Sequence, residues 1–224
     1  MLENIAVFFD VDDTLLDNYS AFKCTIRKYY PDYFLEEPFL KRLYHEFRCH
    51  SEKIYKFYQE GKLATKKKDE RWLLVMETLN LKKNTNLSEL DAYYHLCQSK
   101  QTLSVEMSLL LNVLKKSGIL CGIITNGFTQ QQQRKLEQLD LDRFIEPRWQ
   151  FISEKLGDAK PSVSCFRKVS KQLPEKITKI YYLGDSYQND VIPSRLAGWC
   201  PIWLNHFVDD EAATLILSEL LHSK

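Results

Sequence analysis

The sequence predicts an α/β protein, a doubly wound parallel sheet interrupted soon after it begins by a separate helical domain. Three observations carry this. Ile5-Ala6-Val7-Phe8-Phe9 is a continuous apolar run, the pattern of a strand buried on both faces. From Ser104 onward short apolar runs alternate with helical patterns, which implies right-handed strand–helix–strand units with helices on both faces of the sheet. Between these, from about Asn18 to Ser99, the chain reads as helix after helix with a single glycine, Gly61. One buried strand cannot stand alone beside a helical bundle, so the first strand belongs with the later sheet. The expected division is a core of residues 1–16 and 101–224 and an inserted helical domain of residues 17–100.

The first strand runs straight into Asp10-Val11-Asp12-Asp13-Thr14-Leu15. Like charges this close repel, and a proton or a cation must neutralise part of the cluster. Two acids after a strand can simply solvate a loop. A calcium loop starting at Asp10 would need Gly at its sixth position and Glu at its twelfth, where the chain has Leu15 and Ala21, so that reading fails.

The helical block is dense in aromatics: Tyr19, Phe22, Tyr29, Tyr30, Tyr33, Phe34, Phe39, Tyr44, Phe47, Tyr55, Phe57 and Tyr58. Tyr44, Phe47 and Ser51, then Trp72, Val75, Met76 and Leu79, recur at helical spacing, predicting four or five short helices around an aromatic core. Some of these rings could instead stack on a flat ligand. Lys66-Lys67-Lys68 reads as a solvated helix end.

After Ser104, a helix cap, Val105, Leu109, Val113 and others mark the expected buried side of a helix that Gly118 ends. Ile119–Thr125 is a second buried strand, followed by the Asn126-Gly127 turn and a polar helix from Thr129 to Leu139. Trp149–Ile152 is a short strand, and Pro161 opens a helix that spans Ser162–Leu173. Ile177–Leu183 is a third strong strand, halted by Gly184-Asp185 and followed by a helix to Ala197-Gly198. Pro201–Leu204 forms the last strand, and Asp210–Leu221 a final helix whose acidic start suits the helix dipole.

Lys and Arg total 31 against 30 Asp and Glu, a net charge of +1, so no global field favours a nucleic-acid polymer or a membrane surface. The six cysteines are scattered without a C-x-x-C pair, which argues against zinc. No apolar run approaches the roughly 20 residues needed to cross a bilayer, and no export signal is visible. Unpaired cysteines in such a chain point to a reducing, cytoplasmic setting.

In open parallel sheets, ligands bind beyond the carboxyl ends of the strands, where the strand order reverses. Four polar elements fall there: Asp10 and Asp12, Thr125-Asn126-Gly127, Gly184-Asp185, and Lys160-Pro161 at a helix start. Taken singly, each has a plain explanation as turn chemistry, a surface lysine or a helix cap. Together they have a chemical logic. Asp10 and Asp185 offer oxygens to a hard cation such as magnesium, with Asp190 bracing the site from behind. Lys160, the Thr125 hydroxyl and nearby backbone N–H groups suit an incoming phosphate.

Asp10-Val11-Asp12-Asp13-Thr14, Ile124-Thr125-Asn126-Gly127, Lys160-Pro161 and Gly184-Asp185-Ser186-Tyr187-Gln188-Asn189-Asp190 occur in this order across essentially the whole chain. The ordered set resembles the phosphatases of the haloacid dehalogenase superfamily, whose Rossmann-like core carries a helical cap inserted after the first motif. The resemblance implies Asp10 as a nucleophile that forms an aspartyl-phosphate. It implies Asp12 as the acid that protonates the leaving alcohol and the base that then activates water. Strand alternation would point Asp12 to the same side as Asp10. Thr125, Asn126 and Lys160 would hold the phosphate. Mg2+ would be bound by the carboxylates of Asp10 and Asp185 and the backbone carbonyl of Asp12, with Asp190 behind them.

The superfamily's dehalogenases lack an acid at the position of Asp12, so the resemblance implies phosphoryl transfer to water. Ile192-Pro193 departs from the small residues often found after the last motif, though Pro193 falls in a first helical turn where a missing N–H is tolerated. Asp17-Asn18 and Trp203-Leu204-Asn205 resemble the branch of nucleotide and flavin mononucleotide phosphatases. Phosphosugars and phosphoglycolate stay open as substrates, as does a phosphomutase activity. A phospho-accepting regulatory domain, or a binding protein on the same fold, is the reading from another class. The expected partner is a small phosphate monoester, bound by a monomer or weak homodimer.

Overall fold

The structure, a computed structural model, describes residues 4–32, 36–60, 69–80 and 86–204, without the side chains of 58 and 59. Tyr33, Phe34, the Tyr58 side chain, Gly61, Lys66-Lys67-Lys68, Asn205 and the expected helix Asp210–Leu221 lie outside the described residues. In chain order the elements are β1 (Ile5–Phe9), α1 (Asn18–Tyr29), α2 (Glu37–Gln59), α3 (Arg71–Thr78), α4 (Leu87–Gln98), α5 (Val105–Lys116) and β2 (Leu120–Thr125). They continue as α6 (Thr129–Gln138), β3 (Gln150–Ile152), α7 (Ser153–Leu156), α8 (Val163–Ser170), β4 (Lys179–Gly184), a π-helical turn (Tyr187–Val191), α9 (Ile192–Leu196) and β5 (Cys200–Trp203). The chain divides into two compact units, Met1–Leu16 with Thr102–Lys224, and Asp17–Gln101.

The first unit is built on a five-stranded sheet, ordered β3-β2-β1-β4-β5 with every pairing parallel. The chain steps outward from β1 to β2 and β3, then returns to the other side of β1 as β4. The strand order therefore reverses between β1 and β4. Asp10 N–H donates to the Leu183 carbonyl at 2.8 Å, extending the ladder one residue past β1 at that point.

Every residue of β1 is buried, as its unbroken apolar run requires. Phe8 packs against Trp199 and Phe151, with ring centroids 5.2 and 6.3 Å away. The neighbouring strand makes room for it, since a Cβ on Gly122 would lie 2.1 Å from the Phe8 ring. Gly122→Ala is expected to overpack this core and destabilise the protein by about 1–3 kcal/mol. Thermal unfolding checks this, and an unchanged midpoint would mean that the Phe8 ring can move aside.

Most boundaries lie within a residue or two of the sequence expectation, and one expected face is corrected. Ser104 caps α5, its hydroxyl accepting from Met107 N–H at 3.1 Å. Met107, Leu110, Leu111 and Leu114 form the buried side of α5, whereas Val105, Leu109 and Val113 are exposed. The i, i+4, i+8 stripe drifts around the helix, while the i, i+3, i+4, i+7 set stays centred on the face packed inward. Pro161 precedes the Ser162 cap of α8 and is not part of that helix.

The second unit contains four helices among the described residues, of which α2 is long, at 23 residues. Its core gathers Phe22, Tyr44, Phe47, Trp72 and Tyr94, with Phe22 and Trp72 stacked at 5.7 Å. Arg71 is buried over the faces of Phe47 and Tyr94 and paired with Asp91 at 2.7 Å. The aromatics around this core pack on one another, as the helical spacing predicts. All six cysteines are free, and Cys24 and Cys97 bring their Sγ atoms to 3.0 Å of each other. Among the described residues no helix is long and apolar enough to cross a membrane.

Candidate active site

β1 stops at Phe9, so strand alternation does not position Asp12 as the sequence reading expected. A turn does. The Val11 carbonyl accepts from the N–H groups of Thr14, Leu15 and Leu16, Asp13 N–H donates to the Leu16 carbonyl, and Asp13 takes a φ of 61°. Asp10 and Asp12 end up 6% and 8% exposed.

Lys160 is the centre of charge. Its ammonium lies 2.8 Å from Asp10 Oδ1, 2.6 Å from Asp190 Oδ1 and 2.8 Å from the Tyr182 hydroxyl. Burial alone would lower its pKa, but the carboxylates of Asp10 and Asp190 and the Tyr182 oxygen reverse that and hold it well above its ordinary value. Asp10 goes the other way for a carboxylate. Burial raises it to about 7 despite the Lys160 charge, helped by repulsion from Asp190 and Asp12.

Asp190 is placed by the π-helical turn and held from two sides, by Lys160 and by Ser186 N–H at 2.9 Å. Gly184 leaves the space it occupies, since a Cβ there would meet Asp190 Oδ2 at 2.3 Å. Asp185 is partly exposed, and its backbone carbonyl accepts from the Trp203 indole N–H at 2.8 Å.

Two of the expected metal ligands, Asp10 and Asp185, come together with Asp190, expected only as a brace. Asp10, Asp185 and Asp190 each offer a carboxylate oxygen, and these atoms lie within 4.8 Å of one another. An all-oxygen, carboxylate-rich set suits a hard divalent cation such as Mg2+. Two further facts fit such a site: burial, with added repulsion from Asp190 and Asp12, raises the Asp10 carboxyl, and the Thr125 hydroxyl is buried with no hydrogen-bond partner. An orphaned buried hydroxyl suits a ligand that offers it an acceptor.

Asn126 needs correction. Its side chain is committed to the Lys160 backbone, donating to the carbonyl at 2.7 Å and accepting from the N–H at 3.0 Å. That leaves its main-chain N–H, and not its amide, as what it could offer a phosphate; the side chain acts as a brace for Lys160.

Three residues escaped the sequence reading. Tyr182, inside β4, donates to the Ile124 carbonyl at 2.9 Å while its oxygen accepts from Lys160. Gln132 and Lys135, on α6, both reach Asp12: Lys135 Nζ at 2.5 and 2.7 Å, and Gln132 Nε2 at 3.1 Å. A signal for the second pair existed in the order Gln132, Lys135, Leu136, Leu139, which follows the i, i+3, i+4, i+7 rule on a helix read only as polar.

A parallel sheet with acids gathered at its switch point is a ligand-binding α/β architecture. The profile described as haloacid dehalogenase-like hydrolase matches residues 7–203. The chain belongs to that family. It is 27% identical over 208 residues to the pyrimidine 5'-nucleotidase YjjG of Escherichia coli strain K12, covering 89% of this chain and 85% of that one. Among solved structures, a dehalogenase in an intermediate complex superposes with a TM-score of 0.70 at 16% identity, covering 94% of this chain and 89% of that one. The HAD-hydrolase YfnB of Bacillus subtilis, solved with magnesium bound, superposes at 0.64 with 23% identity, covering 91% and 87%.

Proposed function

We propose that this chain is a Mg2+-dependent phosphatase that hydrolyses a small phosphate monoester through an aspartyl-phosphate on Asp10. The observation that carries the reading is the Asp10 carboxylate at the strand switch point, 2.8 Å from a buried lysine and grouped with Asp185 and Asp190. The residues that would hold the cation are Asp10 and Asp185, with the backbone carbonyl of Asp12, and Asp190 behind them. When bound, Mg2+ supplies charge neutralisation for a phosphate dianion and its developing transition state.

Asp10 is the nucleophile of this reading, and Lys160 lowers the repulsion that would keep a phosphate away from it. The Thr125 hydroxyl, buried and unpartnered, is in this reading a donor to a phosphate oxygen. Asp12 transfers the proton, first to the departing alkoxide and then from the attacking water. The helical unit Asp17–Gln101 is, in this reading, the cap that recognises the leaving group. The relative's activity as a pyrimidine 5'-nucleotidase supports nucleotides as the first substrates to try, with flavin mononucleotide beside them from the sequence resemblance. Phosphosugars and phosphoglycolate form the alternative class.

The dehalogenase likeness rests on fold alone at 16% identity, and the acid at Asp12 favours phosphate over halide chemistry. A panel of nucleotides, flavin mononucleotide, sugar phosphates and phospho-acids, together with a 2-haloacid, separates the readings. Release of inorganic phosphate from one group of esters, abolished by a chelator and restored by Mg2+, is the expected result. Phosphate release undiminished by the chelator would sink the metal role. Halide release without phosphate release would replace the reaction. A stable phospho-Asp10 with no second turnover would favour the regulatory domain, and inertness across the panel would favour a binding protein.

A further inference from the structure

Two side chains of α6 close on the Asp12 carboxylate. Lys135 is 6% exposed and Gln132 3%, and both give their nitrogens to the same carboxylate. Burying an ammonium is costly unless its charge is matched, and the adjacent Leu136 and Leu139 show that this face of α6 can be apolar. Gln132 is not free to turn away. Its Nε2 also donates to the Asn126 carbonyl at 3.0 Å, and its Oε1 is buried without a partner. Gly127 leaves space for that amide, since a Cβ there would lie 2.6 Å from Gln132 Nε2. The turn carrying Thr125 and the clamp on Asp12 are therefore one assembly.

We propose that Lys135 and Gln132 are positioning residues that fix the orientation of the Asp12 carboxylate for proton transfer, an inference that rests on the phosphatase reading above. A carboxylate on a turn can rotate about two side-chain bonds, whereas proton transfer needs its oxygen within about 2.6–3.2 Å of the leaving atom. Lys135 contacts both Asp12 oxygens and Gln132 contacts one, so together they define the plane of the group and which edge stays available. The plainer alternative is an ion pair that only fastens α6 to the turn after β1.

Leaving-group dependence separates the two. An alkyl phosphate must have its alkoxide protonated as it departs, while p-nitrophenolate leaves with little help. The comparison uses kcat/KM with the full chain and Mg2+, because this ratio reports the step in which the alcohol departs. In Lys135→Met, which keeps the aliphatic stem, kcat/KM for the alkyl ester is expected to fall about tenfold or more relative to that for the aryl ester, within the range of lost acid catalysis. Lys135→Arg should recover part of that ratio, and Gln132→Leu should lose less in the same direction. In an Asp12→Asn background, Lys135→Met should leave the ratio where Asp12→Asn has put it.

Equal losses on both esters, or none, would overturn the positioning role and leave a fastening pair. Should Lys135→Met not fold, the neutral Gln132→Leu decides by the same ratio, and an unchanged ratio there overturns the inference. A wild-type chain that turns over neither ester condemns the phosphatase reading and takes this inference with it. Wild-type turnover with unshifted variants condemns the positioning alone.

Discussion

Asp10→Asn is expected to reduce phosphate release by on the order of 10⁴-fold or more, the scale seen when an enzyme's nucleophile is removed. The amide is nearly the same shape, retains an oxygen for Lys160 to contact at 2.8 Å, and cannot form the phosphoryl ester. Loss of fold is separated by a second measurement: the same substitution is expected to stabilise the chain at neutral and alkaline pH in the presence of a chelator. The sign follows from burial. The Asp10 carboxyl is raised from 3.8 to about 7, so the folded chain holds a proton that the unfolded chain has already lost between those values. The wild type therefore loses stability as pH rises across that window, and the Asn variant does not. The gap between their melting midpoints should widen from pH 4 to pH 7 and then level off. A variant that kept a tenth of the activity would remove Asp10 from the mechanism, and a gap independent of pH would contradict the electrostatic account.

Lys160→Met is expected to be the most destabilising single change at this edge of the sheet. The side chain is 3% exposed, and its ammonium sits between two buried carboxylates, at 2.8 and 2.6 Å. Without it both are buried with no cation, and the Tyr182 hydroxyl loses a donor. Removing one partner of a buried pair typically costs about 3–5 kcal/mol, which for a chain of this size is a fall of about 6–20 °C in the melting midpoint. Measured in chelator, a fall of less than 2 °C would show that the carboxylates are relieved in some other way, such as by taking up a proton. A partial return of stability on adding Mg2+ to the variant would show a cation taking over the role of the ammonium.

Asp10, Lys160 and Asp185 were legible because each belongs to a short local pattern: a buried run that ends in acids, a lysine before the proline at a helix start, or a polar group where an apolar strand stops. Chain order then brings those patterns to one edge, and the parallel sheet needs no further information to do so. Tyr182 was illegible for the opposite reason. Within Lys179-Ile180-Tyr181-Tyr182-Leu183 it reads as one more large strand residue, and only the packed structure shows its hydroxyl turned toward Lys160. Gln132 and Lys135 lie more than a hundred residues from Asp12, so no local spacing links them to it. Asn126 was assigned to the phosphate as part of the Thr125-Asn126-Gly127 motif, yet its side chain closes on a backbone 34 residues away. The exposed stripe on α5 marks the limit of periodicity: two apolar rows were present, and hydrophobicity alone does not say which one faces the sheet.

The helical unit begins on α1 and ends on α4, and these two helices lie side by side, with the Gln98 amide donating to Asn18 at 2.5 Å in a buried contact. Its two ends therefore meet, although they stand 80 positions apart in the chain. A segment of that kind can be lengthened, shortened or exchanged through a single junction without unthreading the sheet. Inheritance can then act on the two parts separately: the acid-lined edge can descend with little change while the segment between Leu16 and Thr102 is rewritten. In such a lineage, likeness in one half of the gene says little about likeness in the other.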